Sequence, residues 1–280
     1  MASDDTLNMA VFCDFENVAI GVRDARYEAF DIGLVLERIL DKGKVVLKKA
    51  YADWDRYKSA KKPLHEASFE LIEIPHVRIS GKNSADIRLV VDALDLCYTK
   101  QHVDAFVIVS GDSDFSPLVS KLRENDKTVI GLGVKNSSSD LLIENCDEFI
   151  FYDDLVRKKR AAKKKKKPRP APRPKPSASA PETPSAQETP SAADTSGDKE
   201  EAFELVLAVV ESLFKDRDGA LWGSMVKQTL KRRRPQFDES YYGYRSFNQL
   251  LDDMRKGRLL ETAMDEKSGN FIIHGFGSDA

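Results

Sequence analysis

The chain has 280 residues, 41% of them hydrophobic, and a formal net charge of −2, which places it among globular chains with room for one large domain or two modest ones. No apolar run approaches membrane-spanning length, and the opening "MASDDTLNMAVF" lacks the basic stretch and apolar core of a secretory signal, so neither a membrane nor a secreted role is expected and a cytoplasmic one is. The three cysteines, Cys13, Cys97 and Cys146, and the four histidines are scattered, which excludes a disulfide framework and a zinc site built on paired ligands.

In chain order, apolar runs predict strands over residues 9–14, 45–53, 69–75, 105–110, 128–134 and 149–152. Between them, helices are expected over 32–42, 57–67, 85–100, 117–125 and 139–145. The helix from Ala85 has the clearest pattern, because Ile87, Val90, Val91 and Leu94 follow the i, i+3, i+4, i+7 spacing of an apolar stripe. Strands alternating with helices imply a mainly parallel sheet covered on both faces.

From Arg157 to Lys175 the chain carries no acidic residue, so the rest of it is distinctly acidic. Residues 157–199 are Lys, Pro, Ala, Ser and Thr with almost no large apolar side chain, which predicts a disordered basic linker between two domains; alternatively, Lys158 to Lys167 continue a helix of the first domain. Such a run contacts nucleic acid without reading sequence. In a eukaryote it also has the form of a nuclear-import signal, although the Pro/Ala-rich composition favours a bacterial protein. After it come three amphipathic helical patterns, then two short strands around a turn at 267–270, the outline of a small winged-helix module.

Two aspartates stand one residue apart in "IVSGDSDFSPLVSKL", where a strand ends and a helix begins, and "AVFCDFEN" repeats the arrangement with Asp14, Glu16 and Asn17. In open parallel sheets, ligands bind beyond the carboxyl ends of the strands, where strand order reverses. Asp14, Asp53 in "VVLKKAYADW" and Asp112 each follow a predicted strand, and Asp86 in "GKNSAD" opens the long helix. Carboxylates brought together repel one another unless a cation neutralises them, and oxygen-only ligands favour Mg²⁺ or Mn²⁺. Such an ion suits phosphodiester hydrolysis, and Lys82 is placed to hold a phosphate as a point charge. Each acid also has a plainer reading: Asp86 and Asp114 as helix caps, Asp53 as an exposed loop charge, Glu16 as a solvated neighbour.

Through "FCDFEN", "YADW", "GKNSADIRLVVDA" and "VSGDSDFSPLV", occurring in that order, the first domain resembles an NYN domain, the ribonuclease branch of the PIN-like metal-dependent nucleases. The resemblance implies a PIN-like three-layer α/β/α sandwich and Mg²⁺- or Mn²⁺-dependent cleavage of RNA, with single-stranded regions as the expected substrate. By motif, Asp14, Asp53, Asp86 and Asp112 would bind the metal, Asp114 would assist, and Asn17 would orient substrate or a water on the ion. The C-terminal region resembles an OST-HTH/LOTUS domain through the winged-helix outline and "PQFDESYYGYRSFNQLLDDM"; such domains bind RNA or partner proteins. Lys231, Arg232 and Arg233, beside Tyr242 and Tyr244, are its candidate RNA contacts, cations for phosphates and rings for unpaired bases. The expected boundaries are 8–156 for the nuclease domain, 157–199 for the linker and 200–276 for the C-terminal module. Two further readings stand beside the ribonuclease. One is an adaptor that binds RNA or protein without catalysis. The other is a phosphatase of the haloacid-dehalogenase type with Asp14 as nucleophile, although that motif wants Asp where this chain has Glu16.

Overall fold

The run LNMAVFCD is apolar without alternation, as a strand covered on both faces must be, and it forms β1 (Leu7–Asp14), whose last six residues are buried. The computed structural model describes residues 6–74, 84–166, 198–216, 219–265, 269–278 and 280. Beside β1 lie β2 (Gly43–Ala52) and β3 (Glu70–Glu73) on one side, and β4 (Ala105–Val109), β5 (Thr128–Gly133) and β6 (Glu148–Phe151) on the other. The order is β3-β2-β1-β4-β5-β6, and every pair is parallel.

Four helices cover one face: α1 (Phe15–Asp24), α2 (Ile32–Leu40), α3 (Lys58–Glu66) and α7 (Tyr152–Lys166). Val18, Val35, Ile39, Leu64 and Leu155 from these helices close one core. On the other face α4 (Ser84–Thr99), α5 (Ser116–Glu124) and α6 (Asp140–Asn145) close a second core through Leu89, Leu118, Leu122 and Leu142. Two helical layers around one parallel sheet make a PIN-like α/β/α sandwich.

Two features depart from the sequence expectation, and a third decides between two readings. Helix α1 was not expected, because its "FENVAIGVRD" mixes Val, Ile and Gly, all weak helix formers; Asp14 fixes it by accepting a hydrogen bond from the Asn17 amide. Helix α4 is turned around: Leu89, Ala93 and Cys97 are buried against the sheet, while Ile87 and Val91 of the expected stripe are exposed. Small side chains allow that close approach, and a hydropathy pattern ranks them below Ile and Val. The basic run begins inside α7, the second of the two readings the sequence left open, and that helix continues to Lys166. Its first cations are engaged with carboxylates, Arg157 with Asp154 and Lys159 with Asp31.

The C-terminal region contains α8 (Lys199–Asp216), β7 (Leu221–Trp222), α9 (Gly223–Arg233), α10 (Phe247–Lys256), β8 (Leu260–Met264) and β9 (Phe271–Phe276). Its antiparallel sheet has the order β7-β9-β8, and it encloses its own core of Val206, Val210, Leu230, Leu250 and Ile273. This unit covers β6, the edge strand, which otherwise presents an unpaired backbone. The Phe149 amide donates to the Pro235 carbonyl at 3.0 Å. Lys158 pairs with Asp238 at 2.9 Å. The Lys135 ammonium donates to the Tyr241 hydroxyl at 3.0 Å.

Glu148 is the anchor at the amino end of β6, 2.6 Å from Lys42 and 3.1 Å from Lys231. Against the upward push of burial, the two ammonium groups draw its carboxyl below the usual range. Removing it leaves two cations facing each other in a half-buried site. Glu148→Ala is expected to cost about 2 kcal/mol at pH 7 in urea unfolding, less than a fully buried pair because solvent screens part of it. A depressed native pKa means that this stability is present above the ordinary carboxylate range and is lost as pH falls through the native value. Variant and parent should therefore converge in acid.

Candidate functional site

The chain leaves β1 for β2 on one side, and β4 is added on the other, so strand order reverses between β1 and β4. Two acids stand at that point: Asp14 is the last residue of β1, and Asp112 lies three residues beyond β4. Such a crevice is where open α/β sheets bind ligands.

Asp14 is 5% exposed. One of its oxygens accepts from the Asn17 amide at 3.3 Å, and the other from the Ser110 hydroxyl at 3.0 Å. The Ser110 oxygen in turn accepts from the Asp112 amide at 3.2 Å, so a buried serine ties the two acids together. Burial pushes the Asp14 carboxyl up to about 7, the charges of Asp86 and Asp112 add to that, and the two hydrogen bonds oppose it. Asp86 lies in the first turn of α4. Its carboxyl rises to about 6, through burial first and then through the charges of Asp112, Asp114 and Glu16. Asp14, Asp86, Asp112, Asp114 and Glu16, from three separate stretches of chain, thus share one negative field.

The plainer readings can be compared with this arrangement. The caps are Asp14, on α1, and Asp112, which accepts from the Asp114 amide at 3.0 Å and caps the short 3-10 turn at Ser113–Phe115. Asp114 lies inside that turn, and α5 has no side-chain cap. Asn17 accepts from the Gly111 amide at 2.9 Å through its side-chain oxygen. It therefore joins the ends of β1 and β4. Gly111 is required where it stands, because a Cβ there would run into the Ser137 carbonyl.

Asp53 follows β2 directly, at the same edge of the sheet as Asp14. Its carboxylate accepts from the Asp55 amide at 3.2 Å within its own turn, and it is not among the charges that raise Asp86. Strand β2 stops at Ala52, so Asp53 already belongs to the turn. Its backbone amide donates instead to Glu16 at 2.9 Å, which draws Glu16 toward the end of β2. Glu16 was legible only as the acid two residues after Asp14, and Ser110 and Gly111 only as a small pair after a strand.

Among the described residues, no three His, Cys, Asp or Glu side chains are spaced to hold a metal ion as they stand. The donors nevertheless fit a hard divalent cation in kind, since they are carboxylate oxygens, and burial first and the neighbouring acidic charges second hold Asp14 and Asp86 above their usual range. Lys82 lies outside the described residues.

The C-terminal candidates are placed elsewhere. Tyr242 and Tyr244 are buried, Tyr242 stacked on Phe237 with ring centroids 5.6 Å apart and Tyr244 donating to Asp253 at 2.7 Å. Both rings complete the small core, so in this packing they offer no face to a base, and the stacking expectation is corrected. Lys231 is held by Glu148, Arg233 donates to Ser212 at 2.6 Å, and Arg232 is exposed. Because Glu148 opens β6, Lys231 sits at the amino ends of the strands, away from the carboxylates.

Comparison with known proteins adds the family. A model of the NYN domain matches residues 8–153. Among solved structures, a Vibrio parahaemolyticus protein of unknown function is 29% identical with a TM-score of 0.49, over 55% of this chain and 98% of that one. No curated protein matches. With more than half of its residues matched by that domain model, the chain belongs to the NYN domain family, a PIN-like nuclease family.

Proposed function

We propose that the protein is a metal-dependent endoribonuclease that hydrolyses phosphodiester bonds of RNA at the reversal point between β1 and β4. The observation that carries this reading is the meeting of Asp14 and Asp112, tied through Ser110 where strand order reverses, with Asp86, Asp114 and Glu16 adding charge and burial pushing Asp14 up to about 7. Carboxylates in that state call for a cation, and Asp14, Asp86 and Asp112, helped by Asp114 and Glu16, would hold Mg²⁺ or Mn²⁺. When bound, such an ion supplies Lewis acidity toward a phosphoryl oxygen. The chain's own residues do the positioning. Ser110 fixes Asp14 against Asp112, Asn17 holds the Gly111 turn, and Glu16 ties the end of β2 to the same edge. Family membership favours this over the phosphatase reading.

RNA recruitment falls to the basic run that starts in α7 and, where the chain places it, to Lys82. The C-terminal unit is the winged-helix module of OST-HTH/LOTUS type. With its tyrosines in the core and Lys231 on Glu148, its outer face serves a protein partner. No helix among the described residues is long and apolar enough to cross a membrane, and the working place proposed is the bacterial cytoplasm.

The test uses end-labelled single-stranded RNA and matched DNA with Mg²⁺, Mn²⁺ or EDTA, for the parent protein and Asp112→Asn. Internal cuts in RNA are expected with metal and not in EDTA. In the variant they should fall about a thousandfold, about 4 kcal/mol of transition-state stabilisation. Tight RNA binding with no cutting under any condition would replace this reading by the adaptor.

A further inference from the structure

Helix α4 is apolar on two opposite sides. Leu89, Ala93 and Cys97 face the sheet, whereas Ile87 is 62% exposed and Val91 54%. Leu141 at the start of α6 is 56% exposed, and with Ile87 and Val91 it lines an open groove of about 700 Å³. Asp86 and Asp114 stand in the wall of that groove, so it opens directly onto the carboxylates. Among the described residues, no lysine, arginine or histidine lines it. Ser116, 6% exposed, also lines it, and its hydroxyl has no hydrogen-bond partner.

We propose that this groove seats one unpaired nucleobase of the RNA, next to the phosphate held at the carboxylates, with Ile87, Val91 and Leu141 against the face of the base. The inference rests on the nuclease reading above and adds the part of the substrate that reading leaves open. A phosphate is disfavoured against this wall, because Asp86 and Asp114 stand in it and none of the described lining residues is a cation. A nucleobase suits it: its faces are apolar, its edges carry donors and acceptors, and the unpartnered Ser116 hydroxyl is a rotor that such an edge would satisfy. In a duplex the base faces are stacked within the helix and out of reach of side chains, whereas an unpaired strand can splay a base outward. A second copy of the chain is a poorer occupant, since a stable protein interface buries about 1,200–2,000 Å² and three exposed side chains around one groove fall well short of that.

The experiment walks a single abasic site along a single-stranded RNA that the protein recognises. Binding is read in EDTA and cutting in Mg²⁺ or Mn²⁺, for the full chain and for Val91→Asp and Leu141→Asp. Both changes are at exposed positions, so folding is retained, and circular dichroism verifies it. One abasic position should weaken binding and slow cutting about tenfold. Each variant should lose as much on intact RNA and nothing further on the RNA that lacks that base, the non-additivity of a shared contact. Equal binding of intact and abasic RNA by the parent would overturn the proposal, as would variants that lose equally on both. A parent dimer in sedimentation that Val91→Asp turns into a monomer would also overturn it, by giving the stripe to a second copy. Base-dependent binding that the variants abolish, without cutting by any form, would uphold the groove while the nuclease reading fails.

Discussion

Asp14→Asn is expected to make the metal-free protein more stable at pH 8 while abolishing its cutting of RNA. Burial and the charges of Asp86 and Asp112 raise the native Asp14 carboxyl to about 7, while in the unfolded chain it titrates near 3.9. Between those values the folded state holds the proton and the unfolded chain does not. Stability is therefore full below about 4 and is lost as pH rises through about 7. The gap of roughly three units corresponds to at most about 4 kcal/mol. Asparagine is neutral at every pH and keeps an oxygen for the Asn17 amide, so the loss disappears without the cap disappearing. Urea unfolding in EDTA should show the variant ahead by about 2–4 kcal/mol at pH 8 and level with the parent at pH 4. Excess Mg²⁺ should narrow the gap at pH 8, because an ion that binds only the folded parent stabilises it by mass action. Equal stability at pH 8 would mean that no charge is stored there, and the cation reading would lose its physical basis.

What the sequence made legible, and what it did not, follows from how local each signal is. The six strands of the sandwich were expected close to where they stand, because β1 and β4 are buried on both faces and appear as unbroken apolar runs. Asp14 and Asp112 were legible for the same reason, since the end of a buried strand is visible as the point where an apolar run stops. The partner of Asp14 across the crevice was not. Whether Glu16 or Asp53 joins the set depends on β2 ending at Ala52 and on the hydrogen bond from Asp53 back to Glu16, a contact across 37 residues. The face of α4 was misjudged because the core selects small Ala93 and Cys97 for close packing, while periodicity weights Ile87 and Val91. Tyr242 and Tyr244 were misjudged in the opposite sense. A tyrosine next to basic residues suggests a surface, but this unit has a small core, and its rings fill it with only their hydroxyls turned to polar partners.

Glu16→Gln and Asp53→Asn make the sharpest comparison of structure against motif. The motif assigns Asp53 to the metal set; in the fold the Glu16 charge acts on Asp86, and the Asp53 carboxylate accepts within its own turn. Glutamine keeps the side-chain oxygen that receives the Asp53 amide, so Glu16→Gln removes charge while leaving the tie between β1 and β2 in place. It is expected to slow metal-dependent cutting at least about a hundredfold, about 2.7 kcal/mol, with the unfolding midpoint nearly unchanged. Asp53→Asn keeps the oxygen that accepts from the Asp55 amide and should alter the rate by less than about threefold. Titration of Mn²⁺ into both variants adds a reading independent of turnover: weakened uptake in Glu16→Gln and parental uptake in Asp53→Asn. The reverse ranking would place Asp53 back among the ligands, and the turn after β2 would then have to reorganise when the ion arrives. A tie in which both variants are slow would mean that the field extends over all the strand ends. Glu16 would then act through the Asp53 amide as well as through its own charge, and the two residues would be coupled members of one site.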